Sequence, residues 1–265
     1  MKNDCNLCYE DNCLEEYKKD VRLCKKCNSI FTDFEHEKFP SITSLDSTIK
    51  VKMQKKISKI VAEAYVEYLK TNGGLRFENM LDIGAGYGSF VEILQKKGVN
   101  AEGIESDEST VKNSNSNIMN AFFDENYIIE KKFDLIAINQ CLYYFHDQFK
   151  ILEKISNMLN NNGKVLISTI NSESTFRLKN KIWTQGCQVV LGTKIFQNLE
   201  KFHLKCENIT PYDDNLYKDY FLHQHDQNSN QKFWKNTILY LLKRKKMITM
   251  NEDGINHFIL LQKFD

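Results

Sequence analysis

Apolar positions along the chain follow two different rhythms. From Ile49 to Leu69 they recur at helical spacing through Ile57, Ile60, Val61, Ala64, Tyr65, Tyr68 and Leu69, and Gly73-Gly74 closes the run. Short apolar runs follow at Met80–Ile83, Ala101–Glu105, Phe133–Asn139, Gly163–Thr169, Leu204–Ile209 and His257–Lys263, and each predicts a strand. A fainter strand belongs somewhere in Ile118–Asp124. Helical patterns lie between strands, through Val91, Ile93 and Leu94 and again from Gln148 to Leu159. This alternation predicts an α/β fold with a doubly wound, mostly parallel, seven-stranded sheet.

About forty residues separate the last two strands, where connections are usually short. They include a helical pattern through Phe233, Trp234, Ile238, Leu239, Leu241 and Leu242, so residues 210–256 read as an insertion serving as a lid or a dimer contact. His223 and His225 within it read as a solvated loop, with substrate contact as the competing reading. The run Lys243–Lys246 closes the helix at its negative dipole end.

The first 40 residues lack both rhythms and carry five of the eight cysteines. Cys5-x-x-Cys8 and Cys24-x-x-Cys27 form two knuckles, with Cys13 between them. A two-residue spacer lets both sulfurs of a knuckle face one ion, and two knuckles complete a tetrahedron, the four-thiolate zinc pattern. A disulfide framework is the competing account, and the N-terminus has no apolar core of a secretion signal to support it. Tyr9 and Asn28 stand where a knuckle usually has Gly for its tight turn, and Cys13 is a spare thiol. The chain therefore divides into a zinc-ribbon-like segment, 1–40, with a structural zinc on Cys5, Cys8, Cys24 and Cys27, and a larger domain, 41–265, whose leading helix lies within 41–75.

Composition narrows the class further. Lys+Arg number 36 against Asp+Glu 35, a net charge of +1, which argues against a large cationic surface for bulk nucleic acid. Arg occurs only four times, at Arg22, Arg76, Arg177 and Arg244. No run approaches the apolar length of a membrane span, and the expectation is a cytoplasmic protein.

Candidate chemistry lies at Met80-Leu-Asp-Ile-Gly-Ala-Gly-Tyr-Gly-Ser-Phe, a strand that breaks into a glycine turn and re-enters a helix. Gly84, Gly86 and Gly88 are each two apart, whereas a dinucleotide fingerprint would place its third glycine at Ser89. About twenty residues on, Glu105 ends the next strand, where such Rossmann-like folds put a carboxylate for ribose hydroxyls, with Ser106 beside it.

The D-x-G-x-G-x-G form resembles class I S-adenosylmethionine-dependent methyltransferases. The resemblance implies a cofactor site at Asp82, Gly84, Ala85, Gly86, Tyr87, Gly88, Glu105 and Ser106, with Asp82 in the network at the methionyl amino group. It implies further contacts from Asn139 and Gln140 at the end of a central strand and from Phe123 beside the adenine. Phe122 and Asp124 share that candidacy, and core packing with a turn is the competing reading for this stretch. With the N-terminal knuckles, the chain is similar to methyltransferases that modify bacterial surface polysaccharides and sugars. Many of those carry a Glu-His pair after the strand that ends here at Asn139; in this chain Tyr144 takes the His position and His146 is displaced by two.

Methyl transfer from a sulfonium needs alignment and, for a neutral hydroxyl acceptor, a general base. His146 or Asp147 is the first candidate base, with Tyr144 and Tyr143 as orienting groups; an already anionic acceptor needs none. His146 also reads as a surface residue at a helix start capped by Asp147. The expected function is O-methylation of a small sugar, nucleotide-linked or phosphoramidate-type precursor of a surface polysaccharide. The alternative is an rRNA or tRNA methyltransferase whose zinc ribbon binds RNA, against which the charge balance and the scarcity of Arg both stand.

Overall fold

In a computed structural model the described residues are 4–32, 48–114, 116–183, 186–223, 236–242 and 245–264. The knuckle segment forms three short antiparallel strands, β1 (Leu14–Lys18), β2 (Val21–Cys24) and β3 (Ile30–Thr32). α1 (Thr48–Asn72) follows, and then the alternation begins: β4 (Asn79–Ile83), α2 (Ser89–Gln95), β5 (Asn100–Glu105), α3 (Glu108–Lys112), β6 (Ile118–Asn120) and β7 (Phe133–Asn139). The second half runs α4 (Gln148–Met158), β8 (Leu159–Ile170), α5 (Thr175–Asn180), β9 (Val189–Val190), α6 (Thr193–Phe196), β10 (Leu204–Asp214), α7 (Asn215–His223), β11 (Ile248–Met250) and β12 (Asn256–Lys263).

The large sheet has the order β11-β10-β12-β8-β7-β4-β5-β6. Five neighbouring strands, β8 to β6, run parallel, and β12, β10 and β11 pair antiparallel on the other side. This is the expected α/β architecture with one strand more than the seven read from the sequence. The extra strand, β11, comes from the insertion, which does more than overhang the sheet. The insertion also packs Leu216, Tyr240 and Met247 against Ile57, Ile60 and Val61 of α1. His223 ends α7, while His225, Phe233 and Trp234 lie outside the described residues.

Burial on both faces explains why the central strands read as continuous apolar runs. On one face α1 and α2 cover an aromatic stack in which Phe258 lies 4.6 Å from Tyr68 and 4.1 Å from Tyr212, with Tyr65 edge-on at 5.6 Å. On the other face α4 inserts Ile151, Leu152 and Ile155 against β7 and β8. The Tyr212 hydroxyl carries this packing to the carboxyl edge of the sheet, where it lies 2.6 Å from Ser168 Oγ and accepts from Gln140 Nε2 at 3.1 Å.

The sheet of the knuckle segment takes in a strand from far along the chain. β9, from the middle of the larger domain, pairs antiparallel with β3 through Ile30–Val190 and Phe31–Val189. Tyr17 donates its hydroxyl to the Arg177 carbonyl at 2.9 Å, and Gly192 N–H donates to Ser29 Oγ at 3.0 Å. At Gly192 the reason for glycine is proximity: a Cβ there would stand 1.9 Å from the Cys27 carbonyl oxygen. Gly192→Ala is therefore expected to push the knuckle off the domain, costing about 1–3 kcal/mol as overpacking does. Thermal unfolding checks this, and an unchanged midpoint would show that the contact relaxes freely.

Candidate active site

Two strand ends and one turn build the site. The turn leaving β4 holds Gly84, Gly86 and Gly88 at φ 73°, 55° and 74°, left-handed values that Gly adopts without a Cβ clash. Glu105, at the end of β5, ties this turn in place: Gly86 N–H donates to one carboxylate oxygen at 3.0 Å and Asp107 N–H to the other at 2.9 Å. Both lie at the carboxyl edge of parallel strands, where open α/β sheets place their ligands.

A cavity of about 480 Å³ opens there, within the range of small-molecule sites. Gly84, Gly86, Glu105, Ser106, Phe123, Asn139 and Gln140 of the expected cofactor set line it, together with Tyr144 from the expected catalytic set. Ala85, Tyr87 and Gly88 form the back of the turn and are not among the lining. Ala85 is buried against Gly103, Gly88 caps α2, and the Tyr87 hydroxyl donates to Gln54 of α1 at 2.7 Å.

Asp82 lies beneath the turn, 3% exposed, with Oδ1 lacking any hydrogen bond, and both amide atoms of Asn139 are likewise buried and unpartnered. Buried polar groups are nearly always satisfied, so such a cluster at a cavity marks groups set to meet a ligand. Burial, reinforced by the neighbouring Glu105 charge, pushes the Asp82 carboxyl up to about 8. A cationic amino group placed here would restore the carboxylate and occupy the free oxygen. The residues present thus fit an amino-acid-bearing cofactor with a ribose.

Gln140 takes a left-handed φ of 54°, uncommon for a side chain of its size. Its side chain is fully engaged, donating to Ser168 Oγ and Tyr212 Oη and accepting from the Tyr143 hydroxyl at 3.1 Å. Burial pushes the Tyr144 phenol up to about 12, so it keeps its proton at neutral pH. Tyr143 and Tyr144 meet edge to face at 4.6 Å.

His146 and Asp147 fall outside the lining. Asp147 accepts from Lys150 N–H at 3.0 Å as the N-cap of α4, and His146 is exposed beside it. The cap holds the Asp147 carboxylate at the helix start, and neither it nor the exposed His146 is in the cavity lining. Six lining residues lie outside the set expected from the sequence: Ile83, Ile104, Asp107, Ala121, Cys141 and Phe145. Cys141 had a signal in following Asn139-Gln140 directly, and its thiol donates to the Ile83 carbonyl at 3.2 Å. A separate depression of about 520 Å³ beside α4 is rimmed by Lys150, Lys154, Glu125 and Glu153; the 4.0 Å Lys150–Glu125 contact leaves it an ordinary charged surface.

The four knuckle sulfurs lie within 4.8 Å of one another, with Cys5–Cys27 at 3.8 Å and Cys8–Cys24 at 3.7 Å. A tetrahedral ion with thiolates at about 2.3 Å separates its sulfurs by about 3.8 Å, so the set fits a closed four-thiolate site. Lys26 and Cys27 N–H groups both point at Cys24 Sγ at 3.4 Å, as thiolate acceptors require. Tyr9 and Asn28 both adopt φ 59°, the conformation Gly usually supplies after a knuckle. Cys13 Sγ lies 3.5 Å from Cys24 Sγ and donates to the Glu10 carbonyl, adjacent to the four without joining them.

Residues 49–237 match the family described as Methyltransferase domain. A curated relative, malonyl-[acyl-carrier protein] O-methyltransferase 1 of Ilyobacter polytropus, is 29% identical over 122 residues, which are 43% of this chain. The chain spans 46% of that relative's length. Among solved structures, the plantazolicin methyltransferase BpumL in complex with SAH superposes with a TM-score of 0.51 at 16% identity, covering 83% of this chain and 92% of that one. A Haloferax volcanii complex between the Trm112 methyltransferase activator and a protein described as a methyltransferase gives 0.53 at 11% identity, covering 82% and 94%.

Proposed function

Because the chain belongs to the methyltransferase domain family, matched over residues 49–237, we propose that it is an S-adenosylmethionine-dependent O-methyltransferase. We assign its acceptor to the small sugar, nucleotide-linked or phosphoramidate-type precursors of a bacterial surface polysaccharide. The observation that carries the reading is the unpaired Asp82–Asn139 floor beneath a glycine turn that Glu105 clamps. When bound, S-adenosylmethionine supplies an activated methyl carbon. Asp82 and Asn139 would hold its amino-acid end, Glu105 its ribose, and Phe123 its base. The O-methyl outcome is supported by the name of the curated relative.

On the acceptor side the chain offers alignment. Tyr144 keeps its proton and lines the cavity beside Tyr143, whose hydroxyl is held by the Gln140–Tyr212 network. Within the proposed class, such a site suits the phosphoramidate-type or other anionic oxygens of a nucleotide-linked precursor, which need no proton removed, better than a neutral sugar hydroxyl. Structural zinc on Cys5, Cys8, Cys24 and Cys27 would stabilise the ribbon; a four-thiolate set has no open position for substrate.

Calorimetric titration with S-adenosylhomocysteine tests the first half, and absence of binding sinks it. A methyl-transfer screen of nucleotide sugars, malonyl-loaded carrier protein and total RNA tests the second. Product in the nucleotide-sugar fraction is expected; product confined to RNA or to the carrier protein overturns the proposed acceptor.

A further inference from the structure

Arg177 in α5 is 3% exposed, and its guanidinium is only partly satisfied although the buried Asp214 carboxylate lies within electrostatic reach. Nε donates to the Ile255 carbonyl at 2.7 Å, Nη2 makes a long 3.4 Å contact with Asn256 Oδ1, and Nη1 has no partner. Two acids lie nearby and both are engaged elsewhere. Asp213 pairs with Lys218 at 3.0 Å, and Asp214 accepts from Tyr217 N–H at 3.1 Å. Among the described residues no carboxylate forms an ion pair with the guanidinium. A buried guanidinium nitrogen without a hydrogen-bond partner is costly, and such a group marks a place where a ligand can supply the missing acceptor.

Its place in the fold says which ligand. Arg177 follows β8 and contacts the start of β12, whose antiparallel course puts that start on the cavity's edge of the sheet. β4 and β5 carry the groups read as cofactor contacts, so the β7–β8–β12 side is left for the acceptor. Gln140 and Tyr144 line the cavity on this side, and Tyr212 is hydrogen-bonded to Gln140; Arg177 itself is not in the lining. The Tyr217 ring of α7 covers the guanidinium at 5.3 Å, a cation–π contact that partly substitutes for an anion.

We propose that Arg177 binds an anionic group of the acceptor, a carboxylate or a phosphate, which displaces the Tyr217 ring from the guanidinium. A guanidinium with one free nitrogen and one long contact has a fork face available to two oxygens. This inference rests on reading the cavity as a methyl-transfer site.

The test uses the full chain saturated with S-adenosylhomocysteine, titrated with inorganic phosphate, malonate and, as an uncharged control, erythritol. Saturable binding of at least one anion and none of erythritol is expected. Arg177→Gln should weaken that binding at least ~10-fold while S-adenosylhomocysteine affinity stays within about twofold. Because Arg177→Gln can fail to fold, the wild-type protein supplies a second readout. With four arginines in the chain, the Nε–H signals in an arginine-labelled NMR spectrum can be assigned through Arg22→Lys, Arg76→Lys and Arg244→Lys variants. The anion should shift the Arg177 signal. A response to phosphate alone assigns a phosphorylated acceptor, and one to malonate alone a carboxylate. No anion binding, undiminished binding in Arg177→Gln, or a shift confined to the other three arginines overturns the proposal. Failure to bind S-adenosylhomocysteine at all would instead overturn the methyltransferase reading beneath it.

Discussion

Asp82→Asn is expected to abolish measurable cofactor binding and, at neutral pH, to raise the stability of the ligand-free protein. Both effects come from the same buried carboxyl. Its ordinary value in an unfolded chain is about 3.9, and in the fold it rises to about 8. A raised folded value means that the stability this group contributes is fully present below about pH 4 and is lost as pH rises toward 8. Four pH units correspond to a ceiling of about 5 kcal/mol, and relaxation around the site should leave about 2–3 kcal/mol of it. Asn carries no such proton. The variant should therefore melt higher than the wild type at pH 8, and the gap should shrink at pH 5. Its cofactor affinity should fall about 100-fold or more, because an amide cannot return the charge of an ammonium group. Unfolding at the two pH values and calorimetry with S-adenosylmethionine check the two halves. Equal melting temperatures at pH 8 would mean that Asp82 is not strained by its burial, and retained binding would remove it from the site.

Stripping metal from the knuckles is expected to destabilise the whole chain. Cys24 is fully buried, and the four sulfurs pack in the same core as Leu191, Ile195 and Leu199 of the larger domain. Beside β9, Gln188 N–H donates to the Tyr143 carbonyl at 2.8 Å, and the Gln148 amide bridges the Val189 and Leu142 carbonyls. Those contacts end at the tyrosine pair beside the cavity. Chelation, or Cys24→Ser, should cost about 3–5 kcal/mol, a fraction of what structural zinc supplies to isolated fingers because the domain retains its own core. Methyl transfer should fall in step, and added zinc should restore both after chelation but not in Cys24→Ser. Metal analysis with calorimetry checks this. An unfolding transition that stays in place after complete metal removal would show that the ribbon is held by packing alone.

Much of this arrangement could be read directly along the chain. β7 matches its sequence reading at both ends, because a strand buried on both faces must be apolar without interruption. Asp82, Gly84 and Glu105 could be found because close backbone approach and ribose recognition demand particular residue types at fixed intervals. What escaped the reading depended on distant partners. β9 is two residues long, and nothing in Val189-Val190 announces that it will pair with a strand near residue 30. β10 was expected to end at Ile209 and runs to Asp214, because Pro211, opposite His257, falls just short of the β11 ladder that begins at Tyr212. His146 was attractive as the histidine nearest the end of β7 in sequence, but it is exposed and not in the cavity lining. Arg177 gives no local signal at all, since its unpartnered nitrogen is visible only once the chain around it is folded.

The shared ribbon sheet also constrains the order of assembly. β3 meets β9 across more than 150 residues of chain, a contact that forms only after a long loop has closed. During synthesis the knuckles emerge well before Val189, so the ion proposed for them could be captured while their fourth strand does not yet exist. Docking then waits for the β7–β8 half of the domain to fold and present β9. The metal site would thus be built early and finished last, and a slow, metal-independent closing phase in refolding would be its kinetic trace.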